Sequence, residues 1–488
     1  MRDKINVFWF KRDLRLDDNK AFNTAINSDL PLLLVYILEP SLFTNKHYSS
    51  RHWRFVKESL DDLNLRLLHQ NTKIYKFNLE VERAFDEIQK DFQINTVYST
   101  EETGLDITFQ RDIRFLNYCK NKNIKWLEFQ NGGVVRGLKN RDTWRKLWYD
   151  YMSQPIEIVK FKDTEFINNS NLTNFDCCFS ENFNFLEAHN MQKGGRTEGL
   201  KWMDSFFSER IAMYSEYISK PEMARYGCSR LSPYFAWGCL SIREIYQQCV
   251  IVKKTSIFKK QLTAFMSRLR WQAHFIQKFE MESRIEFEAF NKGYLNFEQP
   301  FNADYIKAWE TGKTGYPLVD ASIRAVKETG YLNFRMRSMI VSFLVHHLFQ
   351  HFSTGSEWLA RQFLDFEPGI HYGQFQMQSG FTATNTIRVY NPTKNALDHD
   401  SEAVFIKKYI PELRHLPIEF AIQPWLLTPM EEKLYNFKLG ENYPNRLIDI
   451  KETRSVALEK LYARRKHELT KTEKERILKV HTLKRRFP

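Results

Sequence analysis

Two stretches of this chain carry the residue types from which a binding pocket is built. Residues 309–343 read WETGKTGYPLVDASIRAVKETGYLNFRMRSMIVSF, and residues 365–392 read DFEPGIHYGQFQMQSGFTATNTIRVYNP. Glycine and proline punctuation alternates with apolar residues at helical spacing, and arginines and carboxylates fall at helix ends and in a loop. That is the pattern of an all-helical pocket for a large, charged, aromatic ligand. Arg335 and Arg337 stand two apart on one predicted helix, so they point to different faces and do not serve one carboxylate together. Upstream, Cys228-Ser229-Arg230-Leu231-Ser232-Pro233 opens a predicted helix with Ser232 as N-cap and Pro233 at its first position. Hydroxyls and free amides at such a terminus suit a phosphate. Taken singly, such a serine is more often only a cap, and any one of these charges only a structural ion pair.

The elements that position these residues follow from periodicity. From Ile5 to about Gln130, apolar runs (INVFWF, LPLLLVYIL, INTVYS, and the weaker TKIYKF and IKWLEF) alternate with amphipathic stretches such as RHWRFVKESLDDLNLRLLH and DITFQRDIRFLNYCKN. This predicts a doubly wound α/β domain with a parallel sheet over residues 1–131. No GxGxxG follows the first strand; a charged segment, KRDLRLDDN, stands there instead. Residues 132–193 lose periodicity and read as an interdomain linker. From 194 to 450 strand signals vanish and helices dominate, with long examples at RLRWQAHFIQKFE and RMRSMIVSFLVHHLFQHF; PYFAWGCLSIREIY reads as another. Residues 451–488 form a basic helical tail.

Composition narrows the class. At 488 residues the chain is too long for one core, and 43% hydrophobic residues is ordinary for a globular protein. No apolar run reaches the length of a membrane span, and the first residues lack a secretory pattern, so a cytoplasmic protein is expected. Cys119, Cys177, Cys178, Cys228, Cys239 and Cys249 form no CxxC pair and no zinc spacing, so reduced thiols and no metal are expected. The net charge is +13, of which +8 lies from Lys451 onward, where 13 Lys/Arg face 5 Asp/Glu. The tail is either a nucleic-acid contact or a solvated surface helix.

Taken together, the CSRLSP turn and the two stretches resemble the flavin-binding part of the DNA photolyase/cryptochrome family, and KRDLRLDDN is similar to that family's N-terminal opening. The resemblance implies FAD as cofactor. Cys228, Ser229, Arg230, Leu231 and Ser232 match the signature that holds the FAD diphosphate, and Tyr217 matches the tyrosine upstream of it, one residue short in spacing. Arg337 is implied as the arginine near the flavin ring, paired with Asp365. Arg335, Phe265 and Phe366 join the implied cofactor set. Glu367 stands where the family shows the second acid of Asp-x-Asp, and Asn391 completes an RxxNP turn. An antenna pigment, folate or deazaflavin, is implied against the N-terminal domain, near KRDLRLDD or the helix from Arg51 to Phe55.

Several positions depart from the family. His371 stands where photolyases place asparagine and plant cryptochromes aspartate beside the reactive flavin nitrogen. Phe375, Phe352 and Gln299 replace the three tryptophans of the electron relay, so photoreduction by that route should fail. Trp309, Trp358, Tyr372 and Tyr390 are alternative donors. On the substrate side Trp271 keeps one stacking platform, Met377 replaces the second, and Arg268 replaces a carboxylate. Arg268, Arg270 and Phe334 complete the implied DNA contacts. Phe334 and Ser338 stand where (6-4) enzymes carry histidines, which disfavours that chemistry. The resemblance thus implies a monomeric blue-light enzyme that repairs cyclobutane pyrimidine dimers in DNA by electron transfer from reduced FAD, with His371, Trp271, Met377 and Arg337 at the reaction. Its alternatives are a cryptochrome-type photoreceptor without repair and a light-independent flavin and nucleic-acid binder.

Overall fold

In a computed structural model of the chain, which describes residues 2–161, 164–168, 172 and 190–483, five strands form one parallel sheet. They are β1 (Asp3–Phe10), β2 (Leu32–Ile37), β3 (Tyr75–Phe77), β4 (Phe92–Thr100) and β5 (Lys125–Phe129), in the order β3-β2-β1-β4-β5. Every residue of β2 is buried, as is β1 from Ile5 onward, which a strand covered on both faces requires. Alternate residues divide between two cores. Val7, Trp9, Leu33 and Val35 pack with Phe85 and Phe115 on one side. Phe8, Phe10, Leu32 and Leu34 join, on the other, an apolar core continuous with the helical region.

The segment KRDLRLDDN, expected as a charged loop beside the sheet crevice, ties the two regions together. Arg12 donates to the carbonyls of Ala236 (2.9 Å) and Phe366 (2.6 Å), and Arg15 to that of Gly238 (3.0 Å). Asp18 is ion-paired with Arg243 and accepts from Ser241. Gly238 is required here: its φ is +70°, and a Cβ would meet the Arg12 carbonyl at 2.2 Å.

That glycine also corrects an expectation. PYFAWGCLSIREIY is not one helix but two, Ser232–Ala236 and Ile242–Thr255, and Ser241 caps the second with a capping box to Glu244. The run RMRSMIVSFLVHHLFQHF is likewise divided. Helix Phe334–Ser342 passes into a π-turn at Phe343–His347, and Phe352 begins a new helix, Phe352–Gln362, after Phe349 turns left-handed. The stretch expected as linker contains a helix, Trp144–Ser153, that buries Trp144, Trp148 and Met152; Cys177 and Cys178 lie outside the described residues. The RLRWQAHFIQKFE stretch lies within one long helix, Lys259–Met281. At the C-terminus, helices Ile450–Lys466 and Glu468–His481 fold back on the helical region. Leu461 and Ile477 are buried, and Glu282 takes both Arg476 and His481.

Candidate functional site

The arginine helix Phe334–Ser342 starts behind the cap residue Asn333 and separates its two guanidinium groups as the spacing predicted. Arg337 donates to Asp365 at 2.9 Å and to the Leu332 carbonyl at 2.7 Å, and its guanidinium lies 4.0 Å from the centre of the Phe363 ring. Arg335 is half-buried near His399, whose pKa its charge helps to lower after burial itself. Asp365 reaches Arg337 because Gly330, at φ +68°, ends the preceding helix and its carbonyl accepts from the Leu364 amide (3.0 Å).

Two residues on, Glu367 precedes Pro368 at the start of helix Pro368–Gln378. Its carboxylate lies 3.4 Å from Arg12. Burial raises its pKa against the pull of that cation. One turn into the helix, His371 is buried between Phe366 and Phe375, with ring centres 5.2 and 4.8 Å away. Burial lowers its pKa to about 3, with Arg337 and His47 adding to the fall. Its Nε2 lies 2.9 Å from the Ser356 carbonyl, which only accepts, so the neutral ring carries its proton there and leaves Nδ1 as an acceptor.

The CSRLS turn is built differently from its expectation. Leu231, not Ser232, is the N-cap; no side chain caps the helix, and only five residues follow. Arg230 holds the turn at φ +59°, an uncommon conformation for a residue with a side chain. Its guanidinium stacks 3.8 Å from the centre of the Tyr331 ring and donates to Gln192 (3.0 Å). Arg210 donates to the carbonyls of Cys228 and Ser229. Burial pushes Arg230 down and Arg210 down to about 10, against weaker pulls from Asp365 and Glu209. Tyr217 packs on the same turn, where a Cβ on Gly227 would meet its ring at 2.7 Å.

Other expected residues make contacts within the fold. Phe265 sits in the core between Phe206 (4.7 Å) and Tyr214 (5.7 Å). Asn391 is exposed, and its side-chain oxygen caps helix Pro392–His399. Arg270 donates to the Tyr149 hydroxyl at 2.5 Å. Phe352 and Phe375 are buried, and Gln299 donates to the Val345 and Gln350 carbonyls. Arg51 is taken up by the carbonyls of Val326, Lys327 and Gln362.

A second face is aromatic and open. Trp271 is 47% exposed and Phe334 45%, and Arg268 lies 5.7 Å from the Phe334 ring centre. Arg268 and Trp271 are three apart on helix Lys259–Met281 and share its face. Met377 is half-buried.

Whether a dinucleotide suits the buried region is answered by atoms without partners. Arg230 Nε, Arg335 Nε, Asp365 Oδ1, Glu367 Oε1 and Gln374 Oε1 are buried and hydrogen-bond to nothing. Buried polar atoms are rarely left so, and donors and acceptors spread over five residues fit a large polar ligand. Among the described residues no cluster of three His, Cys, Asp or Glu side chains could hold a metal, and no helix is long and apolar enough to cross a membrane. A cavity of about 80 Å³, which reaches Glu367, opens where the sheet order reverses between β1 and β4. Arg12, Arg15, Glu102, Ser241, Gln272 and Glu367 help to line it. Such a switch point is the usual ligand crevice of an open α/β sheet.

Residues 6–138 match the DNA photolyase model, and residues 265–463 match the FAD binding domain of DNA photolyase. The chain belongs to the photolyase/cryptochrome family. It is 26% identical over 488 residues to Cryptochrome DASH of Synechocystis, covering 92% of this chain and 96% of that one. It is 24% identical over 476 residues to the deoxyribodipyrimidine photo-lyase of Alkalihalophilus pseudofirmus, covering 93% and 97%. A class III photolyase from Agrobacterium tumefaciens superposes with a TM-score of 0.83 at 21% identity, over 96% of this chain and 99% of that one. The fold and the FAD-binding domain of a photolyase/cryptochrome are therefore present. Within it, Arg12, Arg210, Tyr331 and Ser356 were not singled out in the sequence. Only Arg12, inside KRDLRLDDN, left a signal there.

Proposed function

We propose that this photolyase/cryptochrome is a flavoprotein that repairs cyclobutane pyrimidine dimers in DNA under blue light. When bound, reduced anionic FAD supplies the photo-excited electron that splits the dimer. The Arg337–Asp365 pair next to a buried, neutral His371 is the observation that carries this reading. Arg337, its side chain 27% exposed, brings a cation beside the buried His371, where it steadies an anionic ring better than in bulk solvent. The paired Asp365 fixes its direction. His371 keeps Nε2–H on Ser356 and adds no second positive charge. The CSRLS turn, with Tyr217 against it, is assigned to the diphosphate, and its two arginines, whose burial disfavours their charge, suit an anion. Trp271 and Phe334 are offered as stacking surfaces for an extruded base, with Arg268 for a phosphate; each stacked base contributes about 1–3 kcal/mol. The crevice between β1 and β4 is assigned to a folate or deazaflavin antenna.

A photoreceptor without repair is the second reading. Arg268 and Met377, where repair enzymes carry a carboxylate and a tryptophan, favour it. One experiment divides the two. Dithionite-reduced protein is mixed with a dimer-containing oligonucleotide and lit at blue wavelengths. Recovery of thymine absorbance is expected; flavin cycling with no recovery would transfer the assignment to the photoreceptor.

A further inference from the structure

Behind His371 a chain of hydrogen bonds runs outward through the next residue. Tyr372 is buried, and its hydroxyl lies 2.5 Å from Nε2 of His47, in the loop after β2. Nδ1 of His47 lies 2.7 Å from Asn45 Oδ1, which also accepts the His47 backbone N–H (3.0 Å). An oxygen there only accepts, so Nδ1 carries the ring proton and Nε2 is left to receive one. Burial, with Lys46 beside it, lowers the His47 pKa to about 4, which keeps the ring neutral. On the inner side the Ser356 carbonyl accepts from His371. The rings of His371 and Tyr372 are 5.5 Å apart. The chain ends at Asn45, which is half-exposed.

We propose that Tyr372 is a redox-active residue. It gives an electron to photo-excited oxidised flavin in the helical pocket while its phenolic proton moves to His47. This rests on the FAD reading above. The phenolic O–H bond breaks and an N–H bond forms at His47 Nε2. The oxidant gains one electron, Tyr372 becomes a neutral radical, and His47 becomes imidazolium. The base is what makes the step feasible. A phenol that lost only the electron would leave a radical cation in an apolar interior, at a heavy desolvation cost. Moving the proton along an existing hydrogen bond leaves a neutral radical and places the charge on an imidazole. Even with its pKa lowered to about 4, that ring is a far stronger base than a phenol that has lost an electron. The buried competing donor Trp309 lacks such a base. Trp309 and Trp358 are 5.4 Å apart, but the Trp309 N–H is held by the Ile340 carbonyl (3.1 Å), which does not take a proton. Phe375, Phe352 and Gln299 are not donors at all.

The test starts from oxidised holoprotein whose flavin absorbance has been recorded. A missing cofactor, which would sink the FAD reading, is thereby separated from an inert tyrosine. After a laser flash, electron paramagnetic resonance should show a neutral tyrosyl radical that is absent from Tyr372→Phe. Flavin photoreduction in that variant should be at least tenfold slower at unchanged flavin content. His47→Phe should slow tyrosine oxidation at least tenfold and abolish its solvent deuterium isotope effect, and His47→Gln, which keeps an acceptor, should recover part of the rate. The proposal is overturned if Tyr372→Phe photoreduces at the wild-type rate. It is also overturned if the only radical is a tryptophanyl one lost in Trp309→Phe.

Discussion

Phe334 and Arg337 are neighbours, three residues apart on one helix, and have different surroundings. Around Arg337 the chemistry is closed. Its guanidinium is shared between Asp365 and the Leu332 carbonyl over the Phe363 ring, next to a neutral, buried His371. Around Phe334 it is open: two large aromatics are nearly half exposed, and Arg268 has a ring for a neighbour. The closed surface keeps the charges that its family resemblance implies, whereas the open one has exchanged a carboxylate for Arg268 and a tryptophan for Met377. Burial explains the contrast. A charge removed from a closed network leaves its partner stranded, whereas an exposed side chain is replaced at little cost to the fold.

The strongest way to break that comparison is to open the closed surface. Arg337→Ala leaves Asp365 buried with neither oxygen engaged, since Oδ1 already lacks a partner. A lost partner of this kind costs about 1–3 kcal/mol, and more for a charged group. We expect FAD content to fall more than tenfold and the apoprotein to unfold at lower urea. Flavin absorbance of the purified variant checks this, and unchanged content with an unchanged flavin potential would remove Arg337 from the cofactor.

His371 sharpens the comparison through pH. Its folded pKa of about 3 lies below the ordinary value of about 6.5. Below pH 6.5 the unfolded chain therefore takes up a proton there that the folded chain refuses. Stability held above pH 6.5 is lost as pH falls, at up to about 1.4 kcal/mol per unit for this one site, until the folded pKa is reached. His371→Asn has no such site. Urea unfolding of both proteins from pH 7 to 4.5 should show the wild type losing about 2 kcal/mol relative to the variant by pH 5. Parallel curves would mean that His371 is wetter than its surroundings imply.

These two surfaces were unequally legible in the sequence. The Arg337–Asp365 contact is implied by the family resemblance and the separate directions of Arg335 and Arg337 by helical geometry; both are found. The parallel sheet was legible because its strands are buried on both faces and read as unbroken apolar runs. Ser232 misled because its Ser-Pro pair looks like a helix start. The chain has already turned at Arg230 and breaks again at Gly238, where the Arg12 backbone leaves no room for a side chain. The partner that made Gly238 necessary lies more than two hundred residues away. His47 was invisible for the same reason, since nothing in its local sequence announces Tyr372.

The smallest effects concern the open surface, and they decide whether it is a binding surface or merely exposed. Trp271→Ala should leave flavin content and unfolding unchanged, because the ring is 47% exposed and its ring neighbours are His274 (5.0 Å) and Phe275 (5.9 Å) on its own helix. Loss of a stacking platform should weaken binding of a dimer-containing oligonucleotide by about 1–3 kcal/mol, roughly five- to 150-fold. Arg268→Ala should act differently, since a phosphate contact carries no base information. It should weaken binding to damaged and undamaged strands alike and reduce the slope of log affinity against log salt by about one. Fluorescence anisotropy over a salt series reads both effects. If neither variant alters affinity, the aromatic face does not hold DNA, and the repair assignment loses its substrate side while the flavin clamp stands.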